Sequence, residues 1–194
     1  MNIILRLAPV LVLGLAGCEA TTFEKPPLAE LACSAELAGD WLSVADSNSN
    51  DTPGEVELQI DKTCRLSLIE HKKDGNVGGD PTMLHFGRDG TQRYFWIDAG
   101  WAFKRAQSTE PAPAGDVYLL RYDISGRELQ LRTANDRVVA HRILDDKLHG
   151  EVHKTESTLV NRVTGTVTPE QLRSMIAFDS KPARFTRRDA EPAK

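Results

Sequence analysis

The stretch EVELQIDKTCRLSLI, residues 55–69, decides the fold class of this chain. The apolar residues Val56, Leu58 and Ile60 alternate with polar neighbours, and this period of two is typical of a strand with one buried face. After a short polar turn, the alternation resumes over residues 64–69. Two such runs on either side of a short turn predict a β-hairpin.

The same strand signals recur on both sides of this hairpin. They mark short segments near residues 41–44, 83–86, 92–98, 117–122, 128–132, 148–152, 157–163 and 183–188, and Trp101–Phe103 is expected to continue the sheet. Tight turns rich in Gly, Asn and Asp separate the segments. A parallel α/β fold is excluded because no helix separates the early strands. We therefore expect a mainly β domain with about eight or nine antiparallel strands, as a barrel or a sandwich.

Two short helices are predicted in the C-terminal half. Over residues 136–144, apolar residues recur four apart, and Asn135 is a suitable N-cap. A second helix opens at Thr168, which caps it, with Pro169 at the first helical position.

The N-terminal segment carries a signal for export and anchoring. Arg6 is followed by a short apolar run that suits a signal peptide and is too short to span a bilayer. The run ends in Leu15-Ala16-Gly17-Cys18, which closely resembles the lipobox of bacterial lipoproteins. The resemblance implies that residues 1–17 are removed and that Cys18 carries a diacylglycerol and an amide-linked acyl chain such as palmitate. The alternative is an ordinary signal peptide with a chance cysteine.

The lipobox resemblance also implies a location and a domain layout. Glu19, rather than Asp, follows the cysteine, which favours the periplasmic face of the outer membrane. We expect a flexible tether over residues 18–32, a folded domain over 33–189 and a polar tail over 190–194. The formal net charge is -4, without a long basic block, so nucleic acid is not expected as a partner.

Cys33 and Cys64 remain once Cys18 is assigned to lipid. Because an even cysteine pair in an exported domain reads as a disulfide, we expect these two to be joined. Two free thiols are the alternative, although neither cysteine lies in a recognisable nucleophile motif.

The opening of the first strand, Ala38-Gly39-Asp40-Trp41, resembles the Gly-x-Trp motif of lipocalin-like barrels. The resemblance implies a single up-and-down barrel in which Trp41 closes the floor under an Arg from a late strand. Arg187 is the first choice for that Arg, and Arg184 and Arg188 are the alternatives. Residues 45–54 would form the large first loop. A generic antiparallel β-domain with Trp41 in its core is the competing interpretation.

An aromatic cluster supplies the candidate ligand site. Alternation places Tyr94 and Trp96 on one face of their strand and Phe95 on the other. Tyr94, Trp96, Trp101 and Phe103 are the candidates for lining an apolar pocket in the barrel. The alternative is that these side chains only fill the core.

Catalytic and metal-binding motifs are not apparent in the sequence. His149 and His153 are four apart, but on the expected strand they lie about 13 Å from each other, too far to share an ion. We expect no metal, no cofactor and no enzymatic activity. The predicted function is a membrane-anchored envelope lipoprotein that binds a small apolar ligand. The alternative is a protein-interaction module, such as an inhibitor of a cell-wall hydrolase or an envelope assembly accessory, that uses its loops.

Overall fold

A computed structural model describes residues 19–45, 54–106, 108, 111–155, 158–176 and 181–188. The predictions for the signal peptide, Cys18, most of loop 45–54 and the polar tail 190–194 lie outside these residues. Within them the chain forms thirteen strands, β1 Glu19–Phe23, β2 Gly39–Ser43, β3 Val56–Ile60, β4 Arg65–Lys72, β5 Gly75–Val77, β6 Thr82–Met83, β7 His85–Asp89, β8 Gln92–Asp98, β9 Val117–Ser125, β10 Glu128–Arg132, β11 Gly150–Lys154, β12 Leu159–Val163 and β13 Ala183–Arg187. The helices are α1 Ala99–Arg105, α2 Asp136–Leu144 and α3 Pro169–Met175.

The mainly β prediction is confirmed. The strands form one large mixed sheet with the order β11-β12-β1-β9-β10-β13-β2-β3-β4-β5, and it is not closed. Three further strands lie off this path: β6 pairs with β4, β7 pairs with β8, and β8 also pairs with β9. The sheet is not purely antiparallel, since β1 runs parallel to β12.

The hairpin predicted over residues 55–69 forms as β3 and β4. Its register sets Ile60 opposite Leu66 and Leu58 opposite Leu68. Because cross-strand partners share a face, the two runs of alternating residues bury their apolar sides together. Asp61 starts the turn, and its Oδ1 accepts backbone N–H groups of Thr63 and Arg65.

The prediction of a flexible tether over residues 18–32 is wrong for its first part. Glu19–Phe23 form β1, which lies between β12 and β9 in the sheet. Thr21, Thr22 and Phe23 are almost completely buried there. The folded domain therefore extends back to Glu19 and does not start at Cys33.

The two predicted helices are confirmed as α2 and α3. The Asn135 side chain accepts the Val138 N–H at the start of α2, and Thr168 and Gln171 form a capping box at the start of α3. The strand predicted through Trp101–Phe103 is wrong, because this segment lies in α1. The Asp98 carboxylate caps that helix by accepting the Trp101 N–H.

Two apolar clusters lie on opposite faces of the sheet. One includes Trp41, Leu58 and Leu120, which lie on strands, and Phe103 from α1. The other lies under α2 and α3 and includes Tyr94 and Trp96 together with Val139 and Leu172. The alternation predicted for the aromatic strand is therefore confirmed, since its two faces contribute to different clusters.

The Cys33–Cys64 disulfide is confirmed, with a Cα–Cα distance of 5.9 Å. Cys64 precedes β4 and is buried, whereas Cys33 lies in the segment before β2. The bond therefore fastens that segment to the β3–β4 hairpin.

Trp41 and Arg187 lie together as expected from the sequence. They face each other in the β2–β13 pair, and the guanidinium carbon of Arg187 is 4.4 Å from the centre of the Trp41 ring. Trp41 is fully buried, and its Nε1 donates a hydrogen bond to the Leu37 carbonyl oxygen at 2.8 Å.

Candidate functional site

The four aromatic residues predicted to line one pocket are not brought together. Tyr94 and Trp96 are buried under α2 and α3, while Trp101 and Phe103 pack with the cluster on the other face of the sheet. Burial raises the pKa of Tyr94 to about 12, so its phenol stays protonated and donates a hydrogen bond to Gln92. Tyr94, Trp96 and Phe103 therefore behave as core residues, and Trp101 packs against the core while partly exposed.

The apolar cluster that includes Leu58 and Leu120 is filled by side chains. A void of about 10 Å³ remains between residues of β3, β4, β8, β9 and β10, together with Leu84. Its lining is entirely apolar, namely Leu58, Ile60, Leu66, Leu68, Leu84, Phe95, Ile97, Leu120, Leu129 and Leu131. A volume of this size corresponds to about one water molecule. An apolar ligand has no room there.

A much larger groove opens at the surface beside the start of β1. It encloses about 530 Å³ and is lined by Glu19, Arg137, Ala140, His141, Leu144, Val152, Lys154, Thr155, Thr158 and Leu159. This volume lies in the range of pockets that bury small organic ligands, about 300–1,000 Å³. We call it the β1 groove.

Three strands and one helix build the β1 groove. Leu159 at the start of β12 is paired with Glu19 of β1 on one side and with Lys154 of β11 on the other. The three residues therefore lie side by side at one end of the sheet. Helix α2 packs against all three strands. Its residues 137, 140, 141 and 144 follow helical spacing, so they share the face that lines the groove.

The walls of the β1 groove are apolar, and charged side chains of both signs line it as well. Ala140, Val152 and Leu159 contribute apolar surface, and Leu144 adds a side chain that is 69% exposed. Arg137, His141 and Lys154 surround them. Arg137 Nη2 lies 2.8 Å from the Glu19 carboxylate, and this contact raises the pKa of Arg137. The arrangement suits a molecule with an apolar body.

A polar network behind the β1 groove connects β1, β12 and α2. Thr21 Oγ1 donates to the Asp136 carboxylate at 2.6 Å, and Asn161 Nδ2 donates to the Asp136 carbonyl oxygen at 2.7 Å. Asn161 Nδ2 also lies 3.2 Å from Thr21 Oγ1. Burial raises the pKa of Asp136 to about 6, and the Glu19 charge adds to the increase, while the Thr21 hydrogen bond opposes it.

We predict that Asp136→Asn stabilises the protein at neutral pH. Because the folded state raises the Asp136 pKa from 3.8 to about 6, the native state binds more protons than the unfolded state between these values. Stability therefore falls as pH rises through this window and stays lower above it. One pKa unit is worth about 1.4 kcal/mol and the shift is about two units, so we expect a gain of up to about 3 kcal/mol at pH 7.

Urea unfolding of the Asp136→Asn and parent proteins at pH 4 and pH 7 measures this gain. The difference should be largely lost at pH 4, where the native carboxyl is protonated and the unfolded carboxyl is close to its own pKa of 3.8. An equal effect at both pH values would show that ionisation of Asp136 does not oppose folding.

A second buried ionic cluster holds β1 to β12 and to the start of β9. Asp116 is almost completely buried and accepts hydrogen bonds from Arg162 Nε at 3.0 Å and Nη2 at 3.1 Å. Thr22 Oγ1 donates to the same carboxylate at 3.0 Å. The buried Asp116 carboxylate is thus paired with the Arg162 guanidinium, and it also satisfies the hydroxyl group of Thr22 in the sheet interior.

A third polar cluster lies on β3, β4 and β5. The His71 ring contacts the Glu57 carboxylate at 2.7 Å and the Asn76 side-chain oxygen at 3.0 Å. Burial alone would raise the pKa of Glu57, but hydrogen bonds from Gln59 and His71 and the charge of Arg188 lower it. Glu57 is therefore a paired carboxylate that links strands.

The histidines singled out in the sequence do not form a metal site. His153 lies on β11, whereas His149, also expected on a strand, directly precedes it. Across the described ranges, no three His, Cys, Asp or Glu residues are close enough to hold an ion. In the same part of the chain, no helix combines the length and the apolar character needed to cross a membrane.

Sequence reasoning missed the β1 groove, although one of its signals was visible. In α2, both Val139/Ile143 and Ala140/Leu144 are four apart, so the helix has apolar side chains over two adjoining stripes. Val139 and Ile143 are buried in the core, while Leu144 is left exposed. When a helix carries more apolar surface than the core buries, the exposed remainder indicates a second binding surface.

No protein-family model, curated protein sequence or solved structure matches this chain. The function is therefore argued from the groove and the residues around it.

Proposed function

We propose that this protein is a non-enzymatic lipoprotein of the bacterial envelope, anchored through acyl chains on Cys18 at the periplasmic face of the outer membrane. One observation carries the proposal: Glu19, the residue next to Cys18, begins a strand in the middle of the sheet. The residue next to the proposed lipid-bearing cysteine thus already belongs to the sheet. The Cys33–Cys64 disulfide fits the oxidising compartment that such a location requires.

The proposal includes a lipocalin-like arrangement of the strands. Antiparallel pairs lead from β2 through β3 to β4, from β8 through β9 to β10, and from β13 back to β2. β4 pairs with β6 and β8 pairs with β7, and Leu84 alone separates β6 from β7. A barrel in which the chain bends at Leu84, between β6 and β7, accounts for these pairs. The contact between Trp41 of β2 and Arg187 of β13 supports this arrangement.

Binding of an apolar molecule is proposed in the β1 groove and not inside the strands. The groove offers about 530 Å³, compared with about 10 Å³ in the interior. Its apolar walls supply the contact area, since each buried CH₂ group contributes about 0.8 kcal/mol.

The anchor is tested by membrane fractionation. A Cys18→Ala variant should lose acyl labelling from supplied palmitate. A second variant, in which an ordinary cleavable signal peptide replaces residues 1–18, should move to the soluble periplasmic fraction. The matched control is the Cys33→Ala/Cys64→Ala double variant, which keeps Cys18 and should keep the acyl label. Continued acyl labelling of the Cys18→Ala variant would overturn the proposed anchor.

A further inference from the structure

We propose that the β1 groove holds one acyl chain of the lipid on Cys18 of the same molecule, while the remaining chains stay in the bilayer. This inference rests on the proposed lipid anchor. It goes further by naming the occupant of the groove and by placing part of the anchor inside the protein.

The position of Glu19 is the first argument. Glu19 lines the groove, and consecutive Cα atoms are about 3.8 Å apart, so any group attached to Cys18 starts next to a residue of the groove lining. Glu19 is also fixed, because it belongs to β1 and pairs with Leu159. A chain attached one residue earlier therefore has little freedom to start elsewhere.

The chemistry of the walls is the second argument. Ala140, Leu144, Val152 and Leu159 form an apolar lining from three different elements. Leu144 is 69% exposed, which makes it the most exposed of the large apolar side chains in the described residues. An acyl chain in the groove would cover this side chain.

The charge on the rim is the third argument. At the end of the sheet where β1 begins, Arg137, which is ion-paired with Glu19, and Lys154 line the groove, so two cationic side chains face one carboxylate. An anchor at Cys18 brings this end to the membrane surface, where basic side chains are attracted to anionic lipid headgroups. The rim therefore suits a groove that opens toward the bilayer.

Anchoring remains stable under this arrangement. One acyl chain gives only marginal membrane binding, whereas two chains hold a protein stably. A lipoprotein with three chains can thus place one in the groove and stay attached through the other two.

Photo-crosslinking in the intact lipoprotein tests the inference. The photoreactive residue p-benzoylphenylalanine replaces Leu144 in one protein and Val77, an exposed apolar residue of β5, in the control. Cells are grown with alkyne-bearing palmitate and irradiated, and the protein is digested and analysed by mass spectrometry. We expect the peptide containing position 144, and not the one containing position 77, to be joined to the acylated Cys18 peptide of the same molecule.

Two groove variants sharpen the test. Val152→Trp fills the groove from β11 and should reduce the crosslink several-fold while acylation of Cys18 is retained. Glu151→Trp places the same side chain on the opposite face of the same strand and should leave the crosslink unchanged. Formation of the Cys33–Cys64 disulfide and the circular dichroism spectrum verify that each variant is folded.

The outcomes separate this inference from the proposed anchor. Acylated Cys18 without a crosslink to position 144 would overturn the groove inference and leave the anchor intact. A crosslink to free phospholipid in place of the Cys18 chain would also overturn it, since the occupant would be membrane lipid. Absence of any acyl group on Cys18 would overturn both.

Discussion

Replacing Trp41 with alanine is expected to reduce the free energy of unfolding by about 3–5 kcal/mol. Trp41 is fully buried, and its indole N–H donates to the Leu37 carbonyl oxygen at 2.8 Å. The substitution therefore removes a large apolar volume from the core and leaves the Arg187 guanidinium without the ring beneath it.

Urea unfolding followed by circular dichroism measures the Trp41→Ala effect. Trp41→Phe keeps a ring but removes the hydrogen bond, so it should cost less than the alanine variant. Trp101→Ala is the matched control, because Trp101 is partly exposed on α1 and its loss should cost less than that of Trp41. A loss below about 1 kcal/mol for Trp41→Ala would contradict a core role, since fully burying a large apolar side chain is worth more than that.

Removing the Cys33–Cys64 disulfide is expected to lower stability by about 3 kcal/mol. The two cysteines are 31 residues apart in the sequence, so the bond restricts a long loop in the unfolded chain. For a domain of this size, 1 kcal/mol shifts Tm by about 2–4 °C, so the Cys33→Ala/Cys64→Ala variant should melt about 6–12 °C lower.

Thermal unfolding with and without a thiol reductant checks this prediction. The reductant should lower Tm of the parent protein toward that of the Cys33→Ala/Cys64→Ala variant, and it should leave the variant unchanged. An identical Tm for the oxidised and reduced parent protein would show that the bond does not stabilise the fold.

The elements that could be predicted carry their signal locally. The β3–β4 hairpin follows from alternating residues on both sides of a short turn, and α3 follows from Thr168, Pro169 and Gln171 at its first turn. In both cases the residues that determine the element lie within it, so no distant contact is needed to recognise it.

The elements that were missed depend on partners elsewhere in the chain. In β1, Thr21 and Thr22 are buried polar residues. Their hydroxyl groups donate hydrogen bonds to the carboxylates of Asp136 and Asp116, which lie far away in the sequence. Helix α1 is short and contains Trp101 and Phe103, two aromatic residues that favour strands. Asp98 caps the first turn of α1, but the aromatic residues around it favour a strand when the sequence is considered alone.

The candidate site was misplaced for a related reason. Aromatic clustering suggested a pocket near residues 94–103, but side chains from several strands fill that region. The β1 groove combines α2, β11 and β12, which follow one another in the sequence, with the distant strand β1. The pairing of Glu19 with Leu159 brings β1 next to β12, and this long-range pairing is not visible in the local periodicity of either strand.

The position of β1 has a consequence for the order of folding. Its neighbours β9 and β12 both come much later in the chain, and the contact between Thr21 and Asn161 spans 140 residues. Contacts of such long range form slowly, because a large loop must close first. We therefore expect β1 to be among the last strands to pair, although it comes first in the chain. Under the proposed lipid anchor, acylation of Cys18 would come early and pairing of the adjacent Glu19 would come late.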